Sequence, residues 1–271
     1  MEQRKTISGH KEDTGNHGCT GKHGNEGKTG NLRNAGRICG EFLLDLLFPR
    51  RCPVCDRVLR FRKELVCPSC FRTVRFVREP FCMKCGKSLP EEGEYCRDCR
   101  EKGHLYVQGA AVFEYAGMAP SIYRFKYGGR QEYAEFYGKC MAEVLGKRMK
   151  RWGVQALIPV PIHPSRKRRR GYNQAELLAE VIGSLTGIPV RKDIIARGKK
   201  TVPQKDLNVK QRQNNLKKAF KICYNDVKLS TIIIIDDIYT TGSTVDAMAR
   251  EMRRAGIQNI YFVALAIGSG M

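Results

Sequence analysis

The sequence predicts an α/β protein: a parallel sheet with helices on both faces, preceded by a small cysteine-rich module. Three observations carry this. From residue 104 onward, apolar strand-like runs alternate with amphipathic helical stretches, the pattern of strand–helix–strand crossovers. Ile232–Ile235 is an unbroken β-branched run, as expected of a strand buried on both faces. Four Cys-x-x-Cys pairs fall between residues 52 and 99, a density typical of a metal-held module.

Composition sets the outer bounds. The chain has 271 residues, 42% of them hydrophobic, enough for one sizeable core and a smaller module. Its formal charge of +22, or +18 with eight thiolates on two Zn²⁺ ions, suits a polyanionic partner such as nucleic acid or an anionic membrane surface. No apolar core of a secretory signal is expected, and no transmembrane segment, since no run approaches the roughly 20 apolar residues of a spanning helix. A cytoplasmic protein is expected. Phe42–Phe48, apolar except for Asp45, reads as a short amphipathic helix packed on the neighbouring domain or, alternatively, as a peripheral anchor at the inner face of the membrane.

Residues 1–37 are rich in Gly, Lys, His and Asn and cannot bury enough surface to offset ordering entropy, so a disordered basic tail is expected. His10, His17, His23 and Cys19 lack the fixed spacing of a metal site. Residues 38–103 should hold the short helix and a double zinc ribbon. The pairs Cys52/Cys55, Cys67/Cys70, Cys82/Cys85 and Cys96/Cys99 are separated by 11, 11 and 10 residues, which suits rubredoxin-like knuckles. Local pairing joins Cys52, Cys55, Cys67 and Cys70 on one ion and Cys82, Cys85, Cys96 and Cys99 on the other; an interleaved cross-brace is the alternative. Local pairing closes the shorter loops. Four thiolates fill the coordination shell, so the zinc is structural. A disulfide framework would need an oxidising compartment, and thioredoxin-type chemistry a Cys-x-x-Cys at a strand–helix junction. Cys39, Cys140 and Cys223 stand alone and read as packing residues.

Residues 104–271 form the larger domain. Leu105–Tyr115 reads as a strand or two, Ser121–Gly129 as a helix closing at two glycines with Lys126 near its basic end, and Tyr133–Met149 as a longer helix. Ala156–Pro161 is a short strand. His163–Gly171, with five consecutive basic residues from Arg166 to Arg170, reads as the loop after it, either simply solvated or facing a diphosphate at the carboxyl end of the sheet. Asn173 and Glu176 give a capping-box pattern, with Leu177, Leu178, Val181, Ile182 and Leu185 as the apolar stripe of the next helix. Ile188–Ile195 carries a further strand, and Arg197 to about Asn215 is polar enough for a mobile lid. Ala219–Ile222 resumes an apolar pattern. After the isoleucine run, Val245–Ala255 is a helix with Val245, Met248, Met252 and Ala255 on one face and Gly256 as its stop, and Ile260–Ile267 is the last strand.

The stretch Thr231–Thr244, TIIIIDDIYTTGST, carries the chemistry. Asp236 and Asp237 close the strand where it should leave the sheet, and Thr240, Thr241, Gly242, Ser243 and Thr244 form a hydroxyl-rich turn ahead of a helix. Gly242 permits a tight path, and the free N–H groups of the helix N-terminus favour an anion. A phosphate on the turn and vicinal hydroxyls on the acid pair describe a ribose 5-phosphate. The plainer alternative is an acidic turn with a Thr cap. The turn lacks the Gly-Lys-Ser/Thr of a Walker loop.

This stretch resembles the phosphoribosyl-pyrophosphate (PRPP) loop of type I phosphoribosyltransferases: four apolar residues, two acids, two spacers and Thr-Thr-Gly-Ser-Thr. With the cysteine module in front, the chain resembles the ComF family of bacterial competence proteins, also met as amidophosphoribosyltransferase-like proteins of the GntX type. FLLDLLFPRRCPVC, RFKYGG, PVPIHP with RGYNQAELLA, the set Thr201, Pro203, Gln204, Leu207, Arg212, Asn215, Leu216, Ala219 and Phe220, and DDIYTTGST carry the resemblance, over about residues 42–268.

The resemblance implies a type I phosphoribosyltransferase-like fold for residues 104–271, with Asp236 and Asp237 as catalytic residues holding the ribose hydroxyls directly or through Mg²⁺. It implies Thr240, Thr241, Gly242, Ser243 and Thr244 on the 5-phosphate, and Arg166, Arg170 and Lys126 facing the pyrophosphate, with Mg²⁺ bridging the two halves. It also implies handling of single-stranded DNA during uptake, with Arg168, Arg169 and Arg170 as candidate nucleic-acid contacts and a DNA-uptake helicase or membrane-channel protein as candidate partners. One departure stands out. Salvage enzymes for 6-oxopurines carry a third Asp directly before Thr-Gly, and here that position is Thr240. Two functions stay open: phosphoribosyl transfer to an unnamed acceptor, and a non-catalytic single-stranded-DNA-binding or assembly protein with PRPP as regulator.

Overall fold

The isoleucine run lies where its composition demands, inside a sheet covered on both faces: Ile232, Ile233, Ile234 and Ile235 are fully buried. The computed structural model describes residues 49–61, 63–198, 219–223 and 228–268. Its strands are β1 (Gly109–Glu114), β2 (Ala156–Pro159), β3 (Ile195–Arg197), β4 (Phe220–Ile222), β5 (Thr231–Tyr239) and β6 (Asn259–Ile267). Four of them form a parallel sheet in the order β1-β6-β5-β2, while β3 and β4 pair antiparallel apart from it.

Successive strand residues alternate between the faces. Ile233, Ile235, Val263 and Leu265 face one apolar cluster, and Ile232, Ile234, Ile260, Phe262 and Ala264 face the other. The helices in chain order are α1 (Pro68–Phe71), α2 (Arg97–Glu101), α3 (Tyr115–Tyr127), α4 (Tyr133–Arg151), α5 (Pro164–Arg170), α6 (Gln174–Thr186) and α7 (Ser243–Arg254). α3, α4 and α6 cover the first face through Phe125, Tyr137, Met141 and Leu178, among others. The second face is covered differently. α7 contributes Val245, Met248 and Met252, the β3–β4 pair contributes Ile195 and Phe220, and Cys82, Cys85 and Cys96 complete the layer.

The cysteine module is thus packed on the sheet. Its two halves repeat one knuckle: the amide of Cys52 donates to the Arg57 carbonyl at 2.8 Å and that of Cys82 to the Lys87 carbonyl at 2.7 Å. Each knuckle needs one left-handed residue, Asp56 (φ 60°) in the first and Gly86 (φ 76°) in the second. Gly86 is pressed onto the start of β1, where a Cβ would lie 2.9 Å from Ala110 Cα. Asp56 instead accepts from the Tyr133 hydroxyl at 2.5 Å and pairs with Arg130 at 3.1 Å. Between the halves, the Val77 amide donates to the Val112 carbonyl and the Glu114 amide to the Arg75 carbonyl, so residues 75–77 cover the exposed edge of β1.

Several elements differ from expectation for identifiable reasons. The basic run is no loop but the helix α5: Pro164 occupies its first turn, the His163 ring caps it by accepting from the Ser165 amide, and Gly171 at φ 82° closes it. Four basic residues in its last turn complement the helix dipole. β5 does not leave the sheet at Asp236 but continues to Tyr239, because β6 runs beside it as far as Ile267. α3 starts at Tyr115, ahead of Ser121, and contains Pro120, whose missing N–H forfeits one helical bond. Ile188–Ile195 adds only a bridge between Val190 and Leu157, since β3 pairs with β4. The α6 stripe is rotated: Gln174, Ala175, Leu178, Ala179 and Ile182 are buried, while Leu185 is 52% exposed. Cys140 is buried, but Cys223 is exposed rather than packed. The tail, the Phe42–Phe48 helix, Cys39 and nearly all of the expected lid lie outside the described residues. No described helix is long and apolar enough to cross a membrane.

Close packing of β1 on β6 gives a direct check. A Cβ at Gly109 would fall 1.8 Å from the Phe262 ring. Gly109→Ala should therefore cost about 1–3 kcal/mol and lower the melting temperature by several degrees. Gly103→Ala, where a Cβ meets nothing within 4 Å, should leave it unchanged in the same thermal scan.

Candidate functional site

On its β2 side, β5 loses its partner after Ile235, where the Val160 amide makes the last contact by donating to the Ile235 carbonyl at 2.9 Å. On its β6 side it stays paired, with Asp236 opposite Ala264. Asp236 and Asp237 thus sit on held backbone beside an open flank, at the carboxyl end of the central strands where ligands bind in open α/β sheets. Both line a cavity of about 240 Å³, and four cationic side chains line it with them: Lys126 from α3, Arg166 and Arg170 from α5, and Arg197 from β3.

Charge crowding defines the chemistry of this cavity. Lys126 Nζ lies 2.9 Å from Asp237 Oδ1. Burial, reinforced by the Asp237 charge, pushes the Asp236 carboxyl up to about 7. Burial and then the Arg166 charge pull Arg197 down to about 10, and burial with the Arg170 charge lowers Arg166. Arg170 donates through Nη1 to Gln174 Oε1 and through Nη2 to the Tyr127 hydroxyl, both at 3.0 Å, and its guanidinium lies over the Tyr127 ring. Its buried Nε–H has no partner among the described residues. Mutually repelling cations and an unmet donor around one cavity fit a multiply charged anion, which would relieve both.

The turn after β5 completes the site. Gly242 caps α7 at φ 76°, and a Cβ there would lie 2.6 Å from the Tyr239 hydroxyl and 2.9 Å from the His104 ring. Only glycine fits. The Thr241 and Ser243 hydroxyls lie 2.9 Å apart, and α7 begins at Ser243 with its first N–H groups free of helical partners.

Of the residues singled out in the sequence, Lys126, Arg166, Arg170, Asp236, Asp237, Thr240 and Thr244 line the cavity. Thr241, Gly242 and Ser243 belong to the same turn without lining it. Arg168 and Arg169 are exposed on α5. Arg197 and Asn173 line the cavity and were not foreseen as site residues; Asn173 is the α6 cap, whose Nδ2 also donates to the Val160 carbonyl. Arg197 carried no signal beyond its place directly after an apolar pair.

The cysteines gather as local sets. Cys52, Cys55, Cys67 and Cys70 bring their Sγ atoms within 4.8 Å of one another, as do Cys82, Cys85, Cys96 and Cys99. Zinc–sulfur bonds of about 2.3 Å imply tetrahedron edges of about 3.8 Å. The Cys67–Cys52, Cys55–Cys67 and Cys85–Cys96 sulfurs are 3.3, 3.6 and 3.7 Å apart. Both donor sets fit a structural Zn²⁺.

Known proteins share these features. The double zinc ribbon domain family matches residues 43–100 and the phosphoribosyl transferase domain family residues 169–269. Competence protein F of Haemophilus influenzae is 38% identical over 114 residues, 41% of this chain and 50% of that protein, so the match spans half of that relative's length. DNA utilization protein YhgH of Shigella flexneri is 31% identical over 170 residues, 61% of this chain and 74% of that protein. Competence protein ComFC of Bacillus subtilis is 28% identical over 176 residues, 59% of this chain and 67% of that protein. Fold and site together define a phosphoribosyltransferase-like domain behind a double zinc ribbon. Within that class, the chain belongs to the ComF family, with competence protein F, ComFC and YhgH.

The raised Asp236 carboxyl links the site to stability. The native state keeps a proton that the unfolded chain sheds near its ordinary value of 3.8, so its stabilising effect is present below that value and is lost as pH rises to about 7. Asp236→Asn carries no such proton. The melting temperature of the unliganded variant, measured as a difference from the parent, should become more favourable from pH 4 to pH 7 and level off above.

Proposed function

We propose that this protein binds PRPP with Mg²⁺ in the cavity at the end of β5 and works in DNA uptake. The observation that carries the reading is the convergence of Lys126, Arg166, Arg170 and Arg197 with Asp236 and Asp237 beside the glycine turn. Asp236 and Asp237 accept from the ribose hydroxyls. The turn from Thr240 to Thr244, at the N-terminus of α7, takes the 5-phosphate. The cationic side chains take the pyrophosphate, with Lys126 exchanging Asp237 for it. Mg²⁺, when bound, neutralises pyrophosphate oxygens and so eases their departure. Asp236 and Asp237 would then stabilise charge developing on the sugar.

No histidine lines the described cavity, and Thr240 stands where salvage enzymes place a base-contacting Asp. This supports an acceptor that needs little activation, or PRPP acting as a regulator. The DNA role comes from the relatives' names and from charge. Arg168 and Arg169 project from α5 to solvent, and the Tyr123 and Tyr127 rings meet at a tilt of 47°, with centroids 5.0 Å apart, on the neighbouring α3, 62% and 48% exposed. Exposed aromatics beside exposed cations suit a single strand, with a base on the Tyr123 ring and phosphates on the arginines. The protein would act in the cytoplasm, with a DNA-uptake helicase or channel protein presenting the strand.

Calorimetric titration with PRPP and Mg²⁺, followed by a pyrophosphate-release screen over nucleobases, amines and single-stranded DNA, tests the site. Binding should weaken at least about tenfold, or 1.4 kcal/mol, in Asp236→Asn with Asp237→Asn, and any release should vanish. Release identifies a transferase; binding without release favours a regulator; no binding by the parent chain refutes the reading. For the DNA face, log affinity against log salt should flatten by about 1.4 in Arg168→Gln with Arg169→Gln, two phosphates' worth on a single strand. An unchanged slope would remove α5 from the interface.

A further inference from the structure

The turn assigned to the 5-phosphate rests on a buried polar network to which none of the expected site residues except Gly242 belongs. The His104 side chain is 1% exposed, and its Nδ1 lies 2.8 Å from Asp246 Oδ2. The Leu105 amide donates to Asp246 Oδ1 at 2.9 Å. Asp246 stands in the first turn of α7, just after the phosphate turn. The His104 ring stacks on Tyr106 with centroids 4.9 Å apart, and the Tyr106 and Tyr239 hydroxyls meet at 2.6 Å. Tyr239 ends β5, just before the turn, and its ring lies flat on Phe262. Gly242 closes the circle, with space for no Cβ between the Tyr239 hydroxyl and the His104 ring. The turn is therefore anchored on both sides, at Tyr239 and at Asp246, to one short segment, residues 104–106.

That segment comes directly after α2, which holds Cys99, and Tyr106 and Tyr239 share an apolar cluster with Cys82, Cys85 and Cys96. The second cysteine set thus lies behind the phosphate turn. The first is joined to α3 instead, where Arg124 donates to the Pro53 and Val54 carbonyls at 3.2 and 2.7 Å.

Two features indicate that His104 does more than fill space. Its Nε2 is buried without a hydrogen-bond partner among the described residues, a costly arrangement that an apolar side chain would avoid. And a carboxylate in the first turn of α7 would repel a phosphate at the same helix end, unless its two oxygens were engaged elsewhere. His104 and the Leu105 amide engage both.

We propose that His104 and Asp246 are positioning residues for the 5-phosphate turn, and that through Tyr106 and Tyr239 the second cysteine set, with its zinc, is the base on which that turn is built. The inference deepens the PRPP reading and rests on it. It divides the site: the 5-phosphate half depends on the second ribbon, whereas Lys126, Arg166 and Arg170, three of the four cations of the pyrophosphate half, stand on α3 and α5.

The test uses the full chain with Mg²⁺, titrated calorimetrically with ribose 5-phosphate and, separately, with pyrophosphate; zinc is counted by elemental analysis. In His104→Ala, ribose 5-phosphate should bind about tenfold more weakly and pyrophosphate within about twofold of the parent, with both zinc ions retained. His104→Asn, which returns an N–H near the Nδ1 position, should recover most of the loss. Tyr239→Phe removes one hydroxyl and should act in the same direction, which keeps the test decisive if His104→Ala does not fold. Equal losses for the two probes, or unchanged ribose 5-phosphate binding in the folded variants, overturn the inference alone. A parent chain that binds neither probe overturns the PRPP reading and this inference together.

Discussion

The continuation of β5 along β6, beyond the point where β2 ends, is the constraint on which the site depends. It holds Asp236 and Asp237 on paired backbone while leaving one flank open, so two carboxylates can be fixed without being sealed from a ligand. A strand that stopped at Ile235 would leave them on a loop. The continuation also delivers Tyr239 to the base of the phosphate turn, with its ring on Phe262 of β6. The same ladder therefore positions the acid pair and supports the turn.

Around that ladder the site is crowded with charge. Four cationic side chains face two carboxylates, one of them held up to about 7 by burial and by its neighbour. Burial is the leading cause of the Asp236, Arg166 and Arg197 shifts, and a neighbouring like charge adds to each. A domain whose role was packing alone would gain by replacing such a cluster with apolar residues. A cluster of this kind, with Thr240 and Thr244 beside it in the same cavity, suits a polyanionic ligand, as proposed above. The overall +22 is a different matter: its field would reach a phosphate polymer at longer range, whereas the cavity charges act at contact distance.

How much of this was legible in the sequence depended on whether the signal was local. The strands β2, β5 and β6, the α6 cap at Asn173 and the cysteine spacing could be read because pattern and chemistry fall within a few residues of each other. The α5 helix was misread because five consecutive charges look like a solvated loop, although Pro164 before them and Gly171 after them are helix boundary residues. The end of β5 was misplaced because two acids look like a strand terminus, and only the partner strand, some 25 residues on, shows that the ladder continues. Arg197, His104, Tyr106 and Asp246 had no local signal. What distinguishes them is burial against residues far away in the chain, such as the contact between His104 and Asp246 across 142 positions.

The cysteine module shows why distance along the chain is a poor guide to the role of an element here. One face of the sheet is covered by α3, α4 and α6, but among the described elements the other has only α7 and the short β3–β4 pair, with the second cysteine set filling the remainder. A small layer rich in polar residues gains little from apolar burial, and a metal held by the four thiolates would supply further cohesion. Cross-linking by a metal would also stiffen that layer. On the proposed reading stiffness would matter because the Thr240–Thr244 turn lies against this layer, and donors held in place beforehand spare a phosphate the cost of ordering them. On this view the ribbon is a structural part of the domain behind it.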